Sequence, residues 1–257
     1  MNIDVYIPTE LLKPFIKGYR IIESQDELVN RVLPDTSLAI AFRYKGQVNY
    51  LTDNKNNNVP ISAISGLRKS VRLINYSKDT ATIIVLFKEA GATAFFKEPL
   101  HELFEESVSL DNFIQHRKIS IIEEQLAEAQ NNNQRIAIIE QFLLSILSGL
   151  KPDNLISAAI QKIYLTKGII QIKELANTLY ISHDAFEKRF RRTVGTTPKQ
   201  FSSIIRMKSI ISTRPKSQTL TNIAFDAGYF DQPHFNKNFK LFTGLTPTDF
   251  FKSSSFW

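Results

Sequence analysis

The sequence predicts an α+β protein. A β-rich N-terminal part is followed by an all-α C-terminal part that holds two copies of a helix–turn–helix unit. Three observations carry this. Up to residue 87 the apolar residues come in short runs rich in β-branched and aromatic side chains. After Gly91 the apolar period becomes helical. From residue 171 onward one pattern of Ala, Phe, Gly and Pro occurs twice, about 49 residues apart.

The strands come first. LAIAFRY (38–44), QVNYLT (47–52), SVRLINY (70–76) and TATIIVLF (80–87) have strand composition. Lys45-Gly46 between the first two suggests a tight hairpin. The polar TDNKNNNVP (52–60) reads as a solvated loop, and LPD (33–35) as a turn that leads into a strand. Phe42, Tyr44, Tyr50 and Phe87 are candidates to line an effector pocket, with core packing as the alternative role. Beyond Gly91, TAFFKEPLHELF (93–104) suggests short helices broken at Pro99. RKISIIEEQLAEAQ (117–130) sets Ile119, Ile122 and Leu126 on one helical face, and QRIAIIEQFLLSILSGL (134–150) gives a second, strongly apolar helix that ends near Gly149. These two helices either cover the sheet or form a dimer seam. A boundary near residue 150, with Pro152 opening the next helix, divides the chain into 1–150 and 151–257.

The repeat is the most specific signal. LANTLYISHDAFEKRFRRTVGTTPKQF (175–201) aligns with IAFDAGYFDQPHFNKNFKLFTGLTPTDF (223–250). Phe186, Phe190, Gly195, Pro198 and Phe201 correspond to Phe235, Phe239, Gly244, Pro247 and Phe250 at an offset of 49, while Ala176 and Ala224 differ by 48. The second copy therefore has one extra residue in its turn. Each copy reads as a helix, a short turn and a second helix. Ser182 and Asp231 are suited to cap the second helices, and Pro233 is tolerated in a first turn because the amide it lacks would have no helical partner there. Gly195 and Gly244 suit left-handed helix ends, and Pro198 and Pro247 start new helices. The phenylalanines four residues apart belong to the core.

What the core does not need is the candidate site. In the first copy this leaves His183, Asp184, Glu187, Lys188 and Arg191. In the second it leaves Gln232, His234, Asn236, Lys237 and Lys240. Asn, Gln and Lys can bond base edges in a major groove, and a carboxylate can accept from a cytosine amino group. His183, Arg191, Arg192, Lys199 and Lys240 are the candidates for phosphate contacts. The charge distribution agrees. Residues 1–149 hold 16 Lys/Arg against 18 Asp/Glu, a net of −2, and residues 150–257 hold 16 against 7, a net of +9. The basic excess of the chain lies wholly in the half with the repeat, as a polyanion-binding module would have it.

These two motifs resemble the DNA-binding domain of the AraC/XylS-type transcription regulators. The resemblance covers about residues 155–252 and is carried by LANTLYIS, FEKRF and GTTPKQF in the first copy and by IAFDAGYFDQPHFNKNFKLFTGLTP in the second. It implies seven helices, with a long one over KQFSSIIRMKSIIS (199–212) joining the motifs. It also implies that two recognition helices enter successive major-groove segments, with base contacts at Asp184, Glu187 and Lys188 in the first and at Gln232, Pro233, His234, Asn236 and Lys237 in the second. Asp184 and Pro233 depart from what such contacts use, since neither side chain donates a hydrogen bond. LPDTSLAIAFRYKG and GATAFFKEPLHELFEESVSLDNF are similar to a poorly characterised N-terminal domain of some of these regulators. The resemblance implies a β-barrel-like, cupin-like domain that senses an effector or dimerises.

Composition narrows the function classes. The chain has no cysteine, which removes disulfides, thiolate metal sites and thiol nucleophiles, including the cysteine that DNA-repair alkyl transfer in some relatives requires. No histidine precedes His101, so a multi-histidine cupin metal site is not expected. No Gly-rich phosphate loop, HExxH or GxSxG occurs, so neither catalysis nor a cofactor or metal is expected. The N-terminus lacks the pattern of a signal peptide and no apolar run is long enough to span a membrane, so a cytoplasmic protein is expected. The expected partner is double-stranded DNA. A small-molecule effector, RNA polymerase and a second copy of the chain are further candidates. The competing reading is a protein-interaction module whose β domain binds another protein.

Overall fold

The computed structural model describes residues 1–52, 55–148, 153–213 and 219–252. Its N-terminal part contains two antiparallel sheets. The first has six strands in the order β1-β2-β9-β4-β7-β10. They are β1 (Asn2–Tyr6), β2 (Ile16–Ser24), β4 (Ala39–Lys45), β7 (Ser62–Ser65), β9 (Thr80–Phe87) and β10 (Ser107–Ser109). The second has the order β3-β8-β5-β6, from β3 (Leu28–Val32), β5 (Val48–Thr52), β6 (Lys55–Asn58) and β8 (Arg72–Tyr76). A small cluster of Val48, Tyr76 and Ala63, with Ile22 and Tyr50 packed against it, seals one sheet to the other. No strand pair among the described residues links the two sheets, so the barrel-like expectation becomes two packed sheets rather than a closed barrel.

Two local expectations are corrected. Lys45-Gly46 does not close a hairpin. β4 pairs with β7 and β9, whereas β5 pairs with β6 and β8, so the turn hands the chain from one sheet to the other. Gly46 is required there. Its φ is +71°, and a Cβ would sit 2.5 Å from Thr80 Oγ1. The segment 52–60 is not wholly loop either, because β6 forms an edge strand with Asn58 opposite Asn49.

Helices α1 (His116–Glu128) and α2 (Asn132–Ile146) cover the six-stranded sheet. Ile119, Ile122 and Leu126 are buried as their spacing requires, and the Phe142 ring meets Phe42 of β4 edge to face at 5.8 Å. Asn131, within the run read as an interruption, caps α2 by accepting from the Gln134 amide at 2.9 Å. Polar anchors hold the same contact. Tyr19 donates to Glu140 at 3.1 Å and Ser62 to Glu123 at 2.7 Å. Between sheet and helices, two short 3₁₀ turns, Gly91–Ala94 and Leu100–Leu103, lie on either side of Pro99.

Seven α-helices are described from residue 153 onward: α3 (Asn154–Leu165), α4 (Ile172–Thr178), α5 (His183–Val194), α6 (Pro198–Thr213), α7 (Leu220–Asp226), α8 (Gln232–Thr243) and α9 (Pro247–Lys252). Asp153 caps α3. The boundary placed near residue 150 and the helix start placed at Pro152 lie outside the described residues. One aromatic column, Phe186–Phe190–Phe201, centres the first motif, and another, Phe235–Phe239–Phe250, centres the second. No described helix is long and apolar enough to cross a membrane.

Candidate nucleic-acid interface

Both motifs use the same local chemistry. In each, the last carbonyl of a buried small residue accepts across the turn: Ala176 from the Ile181 amide at 3.3 Å, and Ala224 from the Tyr229 amide at 2.9 Å. The residue before that amide is left-handed. It is Gly228 in the second motif, at φ +74°, but Tyr180 in the first, at φ +55°. Tyr180 is 99% exposed, so its side chain escapes the turn into solvent. The extra residue of the second turn is Phe230, which is likewise exposed. Ser182 caps α5 by accepting from the Ala185 amide, and Asp231 caps α8 by accepting from the His234 amide at 2.7 Å. Each helix then ends on a left-handed glycine, Gly195 at +92° and Gly244 at +81°. The next helix begins at a proline, and the preceding Thr197 or Thr246 accepts from the third residue of the turn.

With the phenylalanines buried at 0%, each second helix turns a polar face outward. On α5, His183, Asp184, Lys188, Arg191 and Arg192 are exposed and Glu187 is half-buried. On α8, Pro233, His234, Lys237 and Lys240 are exposed, while Gln232 and Asn236 are half-buried. Lys199 is exposed at the start of α6. Thr221 of α7 donates to Gln232 Oε1 at 2.7 Å, which leaves the Gln232 amide nitrogen to donate outward. The His234 ring stands edge-on to Tyr229 at 5.4 Å. Arg189, beside these residues in sequence, is already engaged. It grips Asp153 with two bonds of 2.6 and 2.9 Å, and so ties α5 to the N-terminus of α3. Burial would raise the Asp153 carboxyl, but the Arg189 bonds and the helix amides hold it below the usual carboxylate range.

Sequence periodicity gave no sign of how closely the N-terminal part meets this face. The 3₁₀ turn at Leu100–Leu103 packs on α5. A Cβ at Gly195 would lie 3.2 Å from the Leu100 carbonyl oxygen, so the left-handed cap is also where the two parts touch. His101 shares a cleft of about 320 Å³ with Asp184, Glu187, Lys188 and Arg191. At the other motif, the Val71 amide donates to the Leu241 carbonyl near the end of α8 at 3.2 Å. Side-chain bonds complete the seam. Lys208 of α6 pairs with Asp35, and Tyr164 of α3 bonds both Glu89 and, at 3.0 Å, Thr36. Burial pushes the Tyr164 hydroxyl up, and its bond to the Glu89 carboxylate adds to that. Burial works against the charged form of Asp35 too, but Lys208 and Lys17 hold its carboxyl below the ordinary value.

The four aromatics named for an effector pocket are engaged in core packing and hydrogen bonds. Phe42 and Phe87 are fully buried, Phe87 with its ring 5.4 Å from that of Phe95. Tyr44 donates to Glu23 at 3.1 Å under the Arg135 guanidinium, and Tyr50 bonds Ser107 at 2.9 Å under Arg72.

Comparison with known proteins agrees with this geometry. A family model described as a helix-turn-helix domain matches residues 175–253, and one described as a domain of unknown function, DUF6597, matches residues 4–109. An uncharacterized HTH-type transcriptional regulator of Haemophilus influenzae is 30% identical over 119 residues, which is 46% of this chain and 39% of that one. The chain thus matches well under half the length of that relative. Among solved structures, apo ToxT from Vibrio cholerae is 12% identical with a TM-score of 0.45, covering 91% of this chain and 96% of its own. A transcriptional regulator from Chromobacterium violaceum, described by its AraC-type DNA-binding domain, is 18% identical with a TM-score of 0.34, covering 37% of this chain and 87% of its own. The chain is thus similar to helix-turn-helix proteins over residues 175–253 and to a domain of unknown function over residues 4–109.

Proposed function

We propose that the chain is a sequence-specific transcription regulator in which α5 and α8 enter successive major-groove segments of one DNA duplex. The observation that carries this reading is the duplicated geometry. Two helices, each with a side-chain cap, two buried phenylalanines one turn apart and an exit glycine, turn a polar, cation-bearing face to solvent. Asp184, Glu187 and Lys188 on one, and Gln232, Pro233, His234, Asn236 and Lys237 on the other, face the bases. His183, Arg191, Arg192, Lys199 and Lys240 hold the backbone. The division into a regulatory part, 1–150, and a DNA-binding part, 151–257, follows from the same reading. So does a cytoplasmic location, where the DNA and RNA polymerase are.

The N-terminal part has a direct mechanical route to this site. Asp184, Glu187 and Lys188 line the cleft that His101 shares, so a small molecule or protein partner that shifts the Leu100–Leu103 turn changes how α5 is presented. A thermal-shift screen of the full chain tests for a small-molecule effector. A ligand at 100 times its dissociation constant raises stability by about 2.7 kcal/mol. No shift across broad metabolite classes would assign the N-terminal part to a protein partner instead.

DNA selection from a randomised pool with the full chain tests the function itself. One motif is expected to emerge, bound on the order of 10³-fold or more above random DNA at about 150 mM salt. Equal affinity for all sequences would sink the reading. On the selected site, Lys237→Ala costs about 1–3 kcal/mol and relaxes preference at one position, whereas Lys199→Ala weakens every sequence alike. The pair of titrations separates base reading from phosphate holding.

A further inference from the structure

Among the described residues, strand β1 (Asn2–Tyr6) is the edge of the six-stranded sheet, hydrogen-bonded to β2 on one side only. Ile3, Val5 and Ile7 alternate along its outer face and are 44, 70 and 79% exposed. Leu11 beyond them is also exposed, and Met1 at the other end reaches Asn30 of β3. Native edges are commonly blunted by Lys, Pro or a bulge, because an open row of amides and carbonyls recruits another strand. β1 carries none of these. Asp4 is its one charged residue, and its register with β2 runs without a shift.

We propose that β1 pairs antiparallel with β1 of a second copy of this chain, about a two-fold axis at Val5, joining two six-stranded sheets into one. The order of the strand itself selects that occupant. In Ile3-Asp4-Val5-Tyr6-Ile7, an antiparallel copy centred on Val5 places Val5 against the partner's Val5 and Ile3 against the partner's Ile7. Asp4 then faces the partner's Tyr6, so the carboxylate meets a phenol that can donate to it. Like charges never stand directly opposite, where they destabilise a sheet. A slip of one residue would set Ile7 against the partner's Asp4 and throw the apolar stripe onto the polar one. Arg20 of β2 stands across from Val5 on this face. The two Arg20 side chains would stand three strand spacings apart, about 14 Å, beyond the ~8 Å screening length at physiological salt. A two-fold contact uses the same patch on both subunits, as a strand that matches its own reverse requires.

The absence of cysteine makes the test direct, because Val5→Cys introduces the sole thiol. Directly opposite Cβ atoms in an antiparallel pair are about 4.5–5.5 Å apart, close to what a disulfide spans. Under mild oxidation of the full-length protein at low micromolar concentration, Val5→Cys is expected to give a covalent dimer. Ile121→Cys, on the exposed face of α1, is expected to stay monomeric. Light scattering on the unmodified chain is expected to read twice its 29.4 kDa, and Val5→Lys to read one, with the circular dichroism spectrum of the folded chain retained. A wild-type monomer at tens of micromolar overturns the proposal, and so does a dimer that survives Val5→Lys. Cross-linking through Ile121→Cys alone also overturns it and moves the contact to α1. None of these readouts involves DNA, so their failure leaves the proposed function standing.

Discussion

Phe239→Ala is expected to destabilise the second helix–turn–helix unit by about 3–5 kcal/mol, the cost of emptying a buried aromatic site. Phe239 is fully buried. Its ring lies 5.5 Å from that of Phe235, 5.3 Å from Phe250 and 5.5 Å from Phe251, so it joins α8 to α9 as well as to its own helix. With a typical domain stability of 5–15 kcal/mol, such a loss removes a large fraction of the whole. The expected record is a lower urea midpoint together with loss of the α8-dependent half of the DNA site. Phe190→Ala should produce the mirror result on the first unit, because Phe190 packs between Phe186 and Phe201. Unchanged unfolding of Phe239→Ala would contradict the assignment of this ring to the core.

The same repeat explains which parts of the structure could be read in advance. Small residues at a helix crossing, phenylalanines one turn apart, a left-handed glycine and a proline at a helix start are each demanded by local geometry, and their joint repetition is hard to produce otherwise. Where one of these demands is met by an unexpected residue, the local pattern carries no signal. Tyr180 takes the left-handed turn that Gly228 takes in the other copy, and it can do so only because its ring points into water. Strand pairing was less legible for a different reason. Lys45-Gly46 has the chemistry of a tight turn, and the same left-handed glycine serves equally at a corner between two sheets. Partners 20 to 47 residues away, such as Gln47 with Ser77 or Phe42 with Ile83, decide between them. The edge strand β6 is held by its backbone against β5, which is why a run of asparagines could occupy it. The contact of Leu100 and His101 with α5 and its exit glycine left no trace at all, since residues meeting across 83 to 95 positions impose no period on either segment.

Binding to DNA is expected to weaken steeply with salt, and the structure sets how steeply. A census of charge alone would enlist every Lys and Arg of the basic half. The contacts remove several. Arg189 is spent on Asp153, Arg206 on the Gly168 carbonyl, and Lys208 on Asp35. Arg191, Arg192, Lys199 and Lys240 are exposed and make no ion pair among the described residues. Four neutralised phosphates give a slope of log affinity against log salt near −3.6, so raising salt from 50 to 200 mM should cost roughly 150-fold. Arg192→Ala should lower that slope by about 0.9. Arg189→Ala, though it loosens α5 from α3, should leave the slope where it was. The contrast is the discriminating measurement, because both variants remove one positive charge from the same helix. If their slopes fall together, Arg189 reaches the phosphates despite Asp153, and the bidentate pair does not persist on DNA. If neither falls, the four assigned cations do not form the electrostatic footprint, and the bound face of the domain lies elsewhere.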